Sequence, residues 1–138
     1  MMIHTKCACT RVRRAARSLT DLYDEAMRPI GLKITQFSVL RALARMGPVS
    51  ISTLAEEMAL DRSTLGRNLA VLARERLVSL SAGDDSRERT VTLTARAHRL
   101  LGKAVPRWER AQARVDLLLG KGGVAALFTL LSKFETLR

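Results

Sequence analysis

At 138 residues, 47% of them hydrophobic, the chain is long enough for one domain with a single core, and it is too apolar and too evenly charged for a disordered one. A formal net charge of +11 and a pI near 11.2 call for a polyanionic partner; DNA is favoured, although RNA or an anionic membrane would satisfy charge alone. The first residues lack the apolar centre of a signal peptide, and no stretch approaches the roughly 18 continuous apolar residues of a spanning helix, so a cytoplasmic protein is expected.

Residues 1–9 show little pattern. From Cys9 to Arg28, apolar residues recur at helical spacing as Val12, Ala15, Ala16, Leu19, Leu22, Tyr23, Ala26 and Met27, and Pro29 and Gly31 close this first helix. Arg11, Arg13, Arg14 and Arg17 crowd its first half, with no acid before Asp21. That face reads as a second DNA-facing patch or, more simply, as a solvated face or one that pairs with acids of a partner subunit. A second helix is expected after Thr35 as N-cap, with Phe37, Leu40, Leu43 and Ala44 on its inner face and Gly47 and Pro48 as its stop. Residues 49–51 read as a brief extended piece able to close against later strands.

The stretch 50–94 organises the rest. Leu54, Ala55 and Met58 give a short helix an apolar face, and Asp61 then stands where an N-cap belongs, able to accept from the backbone N–H of Ser63 or Thr64. The next helix therefore starts near Arg62. Leu65, Leu69, Leu72 and Ala73 face inward, which turns Arg62, Ser63, Thr64, Arg67 and Asn68 outward as donors and acceptors suited to phosphates and base edges in a major groove. Val78 and Leu80, then Val91 and Leu93, alternate with Ser79, Ser81, Thr92 and Thr94, the period of a half-buried hairpin. Between them Gly83 supplies a turn and Arg87 and Arg89 sit near the tip, with Asp85 placed to hold the Arg87 guanidinium extended toward a minor groove. A helix-turn-helix followed directly by such a wing points to double-stranded DNA.

After Thr94 a long helical pattern runs through Ala97, Leu100, Leu101, Ala104, Val105, Trp108, Ala111, Val115, Leu118 and Leu119; Pro106 is expected to kink it, and Gly120, Gly122 and Gly123 to end it. The last helix, expected over 124–137, is apolar over a wide arc at Leu127, Phe128, Leu130, Leu131 and Phe134. That is too much for a monomer surface and calls for a homodimer in which the first, long and last helices of two chains pack together. Nothing resembles an active site: the histidines are His4 and His98, no Ser/His/Asp or metallo-hydrolase spacing occurs, and the glycines form no phosphate loop. No enzyme activity, cofactor or metal is implied.

The runs LDRSTLGRNL at 60–69, ERLV at 75–78, Asp85 with Arg87, and VTLT at 91–94 resemble the MarR family of winged-helix transcription regulators, and the resemblance extends over nearly the whole chain. It implies a mainly α fold with a small β-hairpin wing: a segment and dimerisation helix over 1–34, a winged helix-turn-helix over 35–94, and dimerisation helices over 95–138. It implies further a homodimeric regulator, a repressor, on a pseudo-palindromic operator. One departure is Gly66, where similar proteins carry Thr or Ser; glycine there costs about 1 kcal/mol of helix stability relative to Ala and either permits closer approach to DNA or removes a contact.

Regulation must come from a ligand or modification that shifts the dimer between binding-competent and incompetent shapes. The organic-hydroperoxide-sensing branch of the family has a reactive cysteine near the start of the first helix, followed in register by Arg-x-x-Thr and by a tyrosine that hydrogen-bonds the thiolate across the dimer. The same register is met by Cys9, Arg17 with Thr20, and Tyr23, whereas Arg13 and Ile34 replace aromatic residues of that branch. A helix N-terminus with Arg11 and Arg13 nearby favours a thiolate that peroxide oxidises to sulfenic acid. Cys7, too close to Cys9 for an unstrained structural disulfide within one chain, reads as a resolving thiol for a disulfide between subunits, as part of a metal or arsenite site with His4, or as passive. A third reading places a small aromatic or anionic effector against Met27, Phe37 and Trp108, which otherwise are ordinary core.

Overall fold

Short polar residues placed just ahead of apolar runs start three of the six α-helices. The computed structural model of the chain describes residues 5–82 and 89–138. In chain order these form α1 (Ala8–Met27), a 3-10 turn (Arg28–Ile30), α2 (Ile34–Met46), β1 (Val49–Ser50), α3 (Ile51–Met58), α4 (Arg62–Arg74), β2 (Val78–Leu80), β3 (Thr90–Leu93), α5 (Ala95–Leu119) and α6 (Gly123–Glu135). Ser50 Oγ accepts from the Thr53 N–H at 3.1 Å, Asp61 Oδ1 from the Thr64 N–H at 2.7 Å, and Thr94 Oγ1 from the Ala97 N–H at 3.2 Å, so α3, α4 and α5 each begin on a side-chain cap. The expected class, mainly α with a small wing, is the one found.

The start of α2 differs from expectation. Thr35 is not the cap: the helix begins two residues earlier than expected, at Ile34, after Lys33. The Ile34 N–H donates to Asp24 Oδ1 at 2.7 Å and the Lys33 N–H to Gln36 Oε1 at 3.0 Å. A carboxylate from the end of α1 thus does what a local hydroxyl was expected to do. The inner face differs as well, since Val39 and Ala42 are buried with Phe37, Leu40 and Leu43 while Ala44 is exposed. α2 touches α1, α3, α5 and β3, and a helix surrounded in this way buries a wider arc than a single stripe.

The sheet is antiparallel with order β1-β3-β2, so the last strand lies in the middle. Val91 pairs with Val49 on one side and Leu80 on the other, and Val78 pairs with Leu93. Val91 and Val78 are buried while Ser79 is exposed, the alternation expected of the hairpin. The extended piece expected at 49–51 is shorter, because Ile51 already opens α3; its N–H donates to the Arg89 carbonyl at 3.1 Å.

α5 runs 25 residues, about 37 Å at 1.5 Å per residue. Pro106 sits on its exposed side, and the helix is continuous through it. Gly120 (φ 78°) and Gly122 (φ 75°) take the positive-φ backbone that glycine allows, and α6 leaves at 93° to α5. α6 begins at Gly123 and ends at Glu135, slightly earlier at both ends than expected. One core joins Met27, Leu40, Leu43, Leu54, Leu65, Leu69, Leu72, Leu77, Val91, Ala97 and Ala104. By contrast α6 buries no residue, and Leu117, Leu118, Phe128, Leu130, Phe134 and Leu137 stand exposed, as do Val12 and Leu19 of α1. Among the described residues no single helix is long and apolar enough to cross a membrane.

Candidate nucleic-acid interface

The turn between α3 and α4 is held by backbone. Ala59 takes a left-handed conformation (φ 54°), its N–H donates to the Glu56 carbonyl, and the Leu60 N–H reaches back to the Ala55 carbonyl at 3.0 Å. Asp61 follows. Its Oδ1 accepts from Ser63 Oγ at 2.6 Å as well as from the Thr64 N–H, and its Oδ2 from Thr64 Oγ1 at 2.9 Å. The Ser63 hydroxyl, then the N–H and hydroxyl of Thr64, with a contribution from the Arg67 charge, draw the Asp61 carboxyl down from its ordinary 3.8 to about 2. Arg67 Nη2 donates in turn to Thr64 Oγ1 at 3.3 Å. Asp61, Ser63, Thr64 and Arg67 therefore form one hydrogen-bonded chain across the first turns of α4, with Leu65, Leu69 and Leu72 buried beneath it. Arg62, Ser63 and Arg67 are exposed, Thr64 and Asn68 half-buried, and a Cβ built on Gly66 would meet nothing within 4 Å.

In the wing, Arg89 lies at the base of the hairpin rather than near its tip. Its Nε donates to the Ser81 carbonyl at 2.8 Å, and Ser81 and Thr90 are joined by Ser81 N–H to Thr90 carbonyl (2.9 Å) and Thr90 N–H to Ser81 Oγ (2.8 Å). Gly83, Asp85 and Arg87 lie outside the described residues, as does His4. At the foot of the wing Thr94 ties three elements together. Its hydroxyl faces the carbonyls of Arg76 (2.7 Å) and Leu77 (3.3 Å), its N–H donates to the latter, and its oxygen caps α5.

The expected sensor residues are dispersed. Cys7 is the N-cap residue of α1 and Cys9 lies in its first turn, both exposed. Hydrogen bonds from the Thr10 side chain and then its backbone lower the Cys7 thiol. The Tyr23 hydroxyl donates to Gln112 Oε1 of α5, and burial, then the Asp116 charge, raise its pKa. Cys9 and Tyr23 stand fourteen residues apart on one helix, about 21 Å, so any contact between them must join two subunits.

Met27 is fully buried and belongs to the core. Phe37 and Trp108 stack at 6.2 Å, and the Arg41 guanidinium lies 5.5 and 5.4 Å from their ring centres. With Arg45, Glu57 and Met58 they line an open cleft of about 310 Å³. Periodicity did not reveal Arg41, because an arginine on the outer side of a helix gives no signal until the ring of another element is brought beneath it. Arg138 was equally illegible: its Nη1 donates to the Ala59 carbonyl at 2.8 Å, which ties the end of the chain to the α3–α4 turn.

Two helices joined by a tight turn, a hairpin wing closed by a third strand, and a frame of long helices define a winged helix-turn-helix of the kind found in transcription regulators. The MarR family model matches residues 30–88. The fold is similar to that of the Mycobacterium tuberculosis transcriptional regulator MosR in complex with DNA, at 41% identity and a TM-score of 0.83 over 96% of this chain and 99% of that one. An uncharacterized HTH-type transcriptional regulator of Bacillus subtilis, YwoH, is 28% identical over 89 residues, a match that spans 64% of this chain and 65% of YwoH. A mutant of Escherichia coli MarR complexed with operator DNA shares the fold at 20% identity and a TM-score of 0.81 over 91% of each chain. The chain belongs to the MarR family and is a transcriptional regulator, not an enzyme.

Proposed function

We propose that this protein binds double-stranded DNA as a cytoplasmic homodimer and represses transcription from a pseudo-palindromic operator. The observation that carries the reading is the polar start of α4, where Asp61 orders Ser63, Thr64 and Arg67 on the outer side of a helix whose inner side is buried. In this reading Arg62, Ser63, Thr64, Arg67 and Asn68 enter the major groove, Arg67 giving up its bond to Thr64 for a base edge or phosphate. Asp85 and Arg87 carry the wing into the minor groove, with Arg89 bracing its base. MosR, similar over nearly the whole chain, has a structure with DNA, which supports the choice of partner.

The exposed apolar residues of α6 and the end of α5 support a dimer built from 1–34 and 95–138 around two DNA-binding units over 35–94. A two-fold dimer sets its two α4 helices on half-sites about one turn, roughly 34 Å, apart. Arg67→Ala is expected to weaken operator binding by about 1–3 kcal/mol and to relax base preference at one position of each half-site, whereas Arg87→Ala weakens binding to all sequences alike and lowers the salt slope by about 1. Titration on operator and competitor duplexes measures both. If neither substitution changes affinity, the fold serves as a protein-interaction module; if all affinity vanishes with salt and competitor, it is a non-specific DNA binder.

Release is assigned to thiol oxidation at Cys9. Peroxide takes the thiolate to sulfenic acid with loss of water or alcohol, and a second thiol, Cys7 of the other subunit, displaces hydroxide to form a disulfide. Cys9→Ser is expected to keep DNA binding and lose peroxide-induced release. A Cys9→Ser protein that still releases, with Cys7→Ser inert, transfers the trigger to Cys7, the residue whose thiol is lowered. Non-reducing gels and intact mass separate a disulfide between subunits from one within a chain. A second reading rests on Arg41 above Phe37 and Trp108: a small aromatic acid in that cleft would release DNA without oxidant, and Arg41→Ala would abolish the response.

A further inference from the structure

Most of the positive charge lies outside the unit expected to read DNA. Residues 35–94 hold eight Lys and Arg against seven Asp and Glu, while residues 1–34 hold seven against three and residues 95–138 nine against three. On α5 this excess is ordered. Arg96, Arg99, Lys103, Arg107, Arg110 and Arg114 recur at steps of three and four residues, and at 3.6 residues per turn they fall within an arc of about 80°, a stripe about 27 Å long. The acids of the helix, Glu109 and Asp116, lie outside that arc. Five of the six cations are exposed; Arg107 is half-buried and donates to the Ala26 carbonyl of α1 at 3.2 Å.

Neither of the two ion pairs among the described residues touches the stripe, and Glu75 is the carboxylate that shares a cleft with Arg96, Arg99 and Lys103. The arrangement works against the helix that carries it. Like charges three and four residues apart repel, and Arg96 and Arg99 sit at the positive end of the macrodipole, with no acid in the first turn. Solubility alone is served better by mixed signs. A surface that bears this cost over seven-tenths of the helix is suited to an extended, regularly charged anion. Five of the six residues are arginines, whose guanidinium groups pair with phosphate in a forked geometry, and the length approaches one turn of duplex, about 34 Å.

We propose that the α5 stripe is a second binding surface that grips the sugar-phosphate backbone of duplex DNA beyond the operator half-sites. The choice of DNA rests on the function proposed above; the presence of a polyanion surface on α5 does not. The duplex is either the flank of the operator or a second segment brought alongside, and the two share one chemistry.

The test uses the full chain carrying Arg96→Gln, Arg99→Gln, Lys103→Gln, Arg110→Gln and Arg114→Gln, with Arg107 kept for its bond to α1. A companion replaces the four arginines by lysine. Affinity is followed against salt on a duplex selected from random sequence by the wild-type protein, first trimmed to its protected length and then with long flanks, and capture of a second labelled duplex is scored. The glutamine protein is expected to match wild type on the trimmed duplex and to lose at least about tenfold in affinity on flanked DNA or in capture, its log–log salt slope falling by about 0.9 for each phosphate contact removed. The lysine protein should restore the slope. Loss on flanked DNA alone assigns the flank; loss of capture alone assigns a second segment. An unchanged slope on every DNA overturns the proposal, as does dissociation of the glutamine protein into monomers, which would put the stripe inside the subunit interface. Binding of phosphatidylglycerol vesicles that is lost in the glutamine protein while all DNA binding persists overturns it in favour of a membrane. If the wild-type protein selects no sequence, the operator reading fails, and the salt slopes of the two proteins on plain duplex still decide the stripe.

Discussion

Asp61 shows how far a single residue can be read. An aspartate ahead of an apolar helical run is a cap because its carboxylate reaches N–H groups only two or three residues on, and the contacts found are of that local kind. Its depressed pKa gives a prediction with a definite sign. A carboxylate held at about 2 when folded and at its ordinary 3.8 when unfolded favours folding above 3.8, and the contribution is lost as pH falls through about 2. The melting-temperature gap between wild type and Asp61→Ala should therefore be steady near neutrality and close across that interval. Asp61→Asn also lacks the titrating carboxyl, so its gap to wild type should narrow over the same interval while its gap to Asp61→Ala stays constant, which thermal melts over a pH series will check. Arg89 is the opposite case. Its bond to the Ser81 carbonyl spans the hairpin, so nothing in the nearby sequence distinguished it from an arginine at the tip.

Helix ends separate local causes from distant ones. α4 and α5 begin on their own Asp61 and Thr94, and those starts were legible; α3 begins on Ser50, inside a stretch expected to be extended, and α2 begins where Asp24 of another helix meets the Ile34 N–H, and neither of those starts was. Thr94 closes the wing and opens α5 at once, so Thr94→Ala should cost about 2 kcal/mol, one cap plus one hydrogen bond, read as a lower urea midpoint at unchanged slope. Within α4, Gly66 has open space where a side chain would stand. Gly66→Ala should raise stability by about 1 kcal/mol in the same measurement. Since the added methyl meets no protein atom, any accompanying loss of operator affinity would report DNA backbone passing over that position.

For the assembled protein the exposed apolar residues decide the expectation. Phe128→Asp with Leu130→Asp places charges on two side chains that are 58% and 57% exposed in the single chain and contribute nothing to its core. The pair should leave the fold intact by circular dichroism, yield monomers in sedimentation, and lower operator affinity by roughly a hundredfold or more, because one half-site no longer raises the local concentration of the other.

Helical and alternating periods, capping residues and the turn between α3 and α4 act over a few positions, which is why the order of elements, the wing and the outward set on α4 are legible in the chain alone. Pairing across long separations could not. The central place of β3, the carboxylate that starts α2, the arginine of α2 over Trp108 of α5 and the tether from Arg138 to the α3–α4 turn all join groups from different elements. Such contacts depend on how elements stack, and stacking is settled by packing of the whole core rather than by any window of sequence.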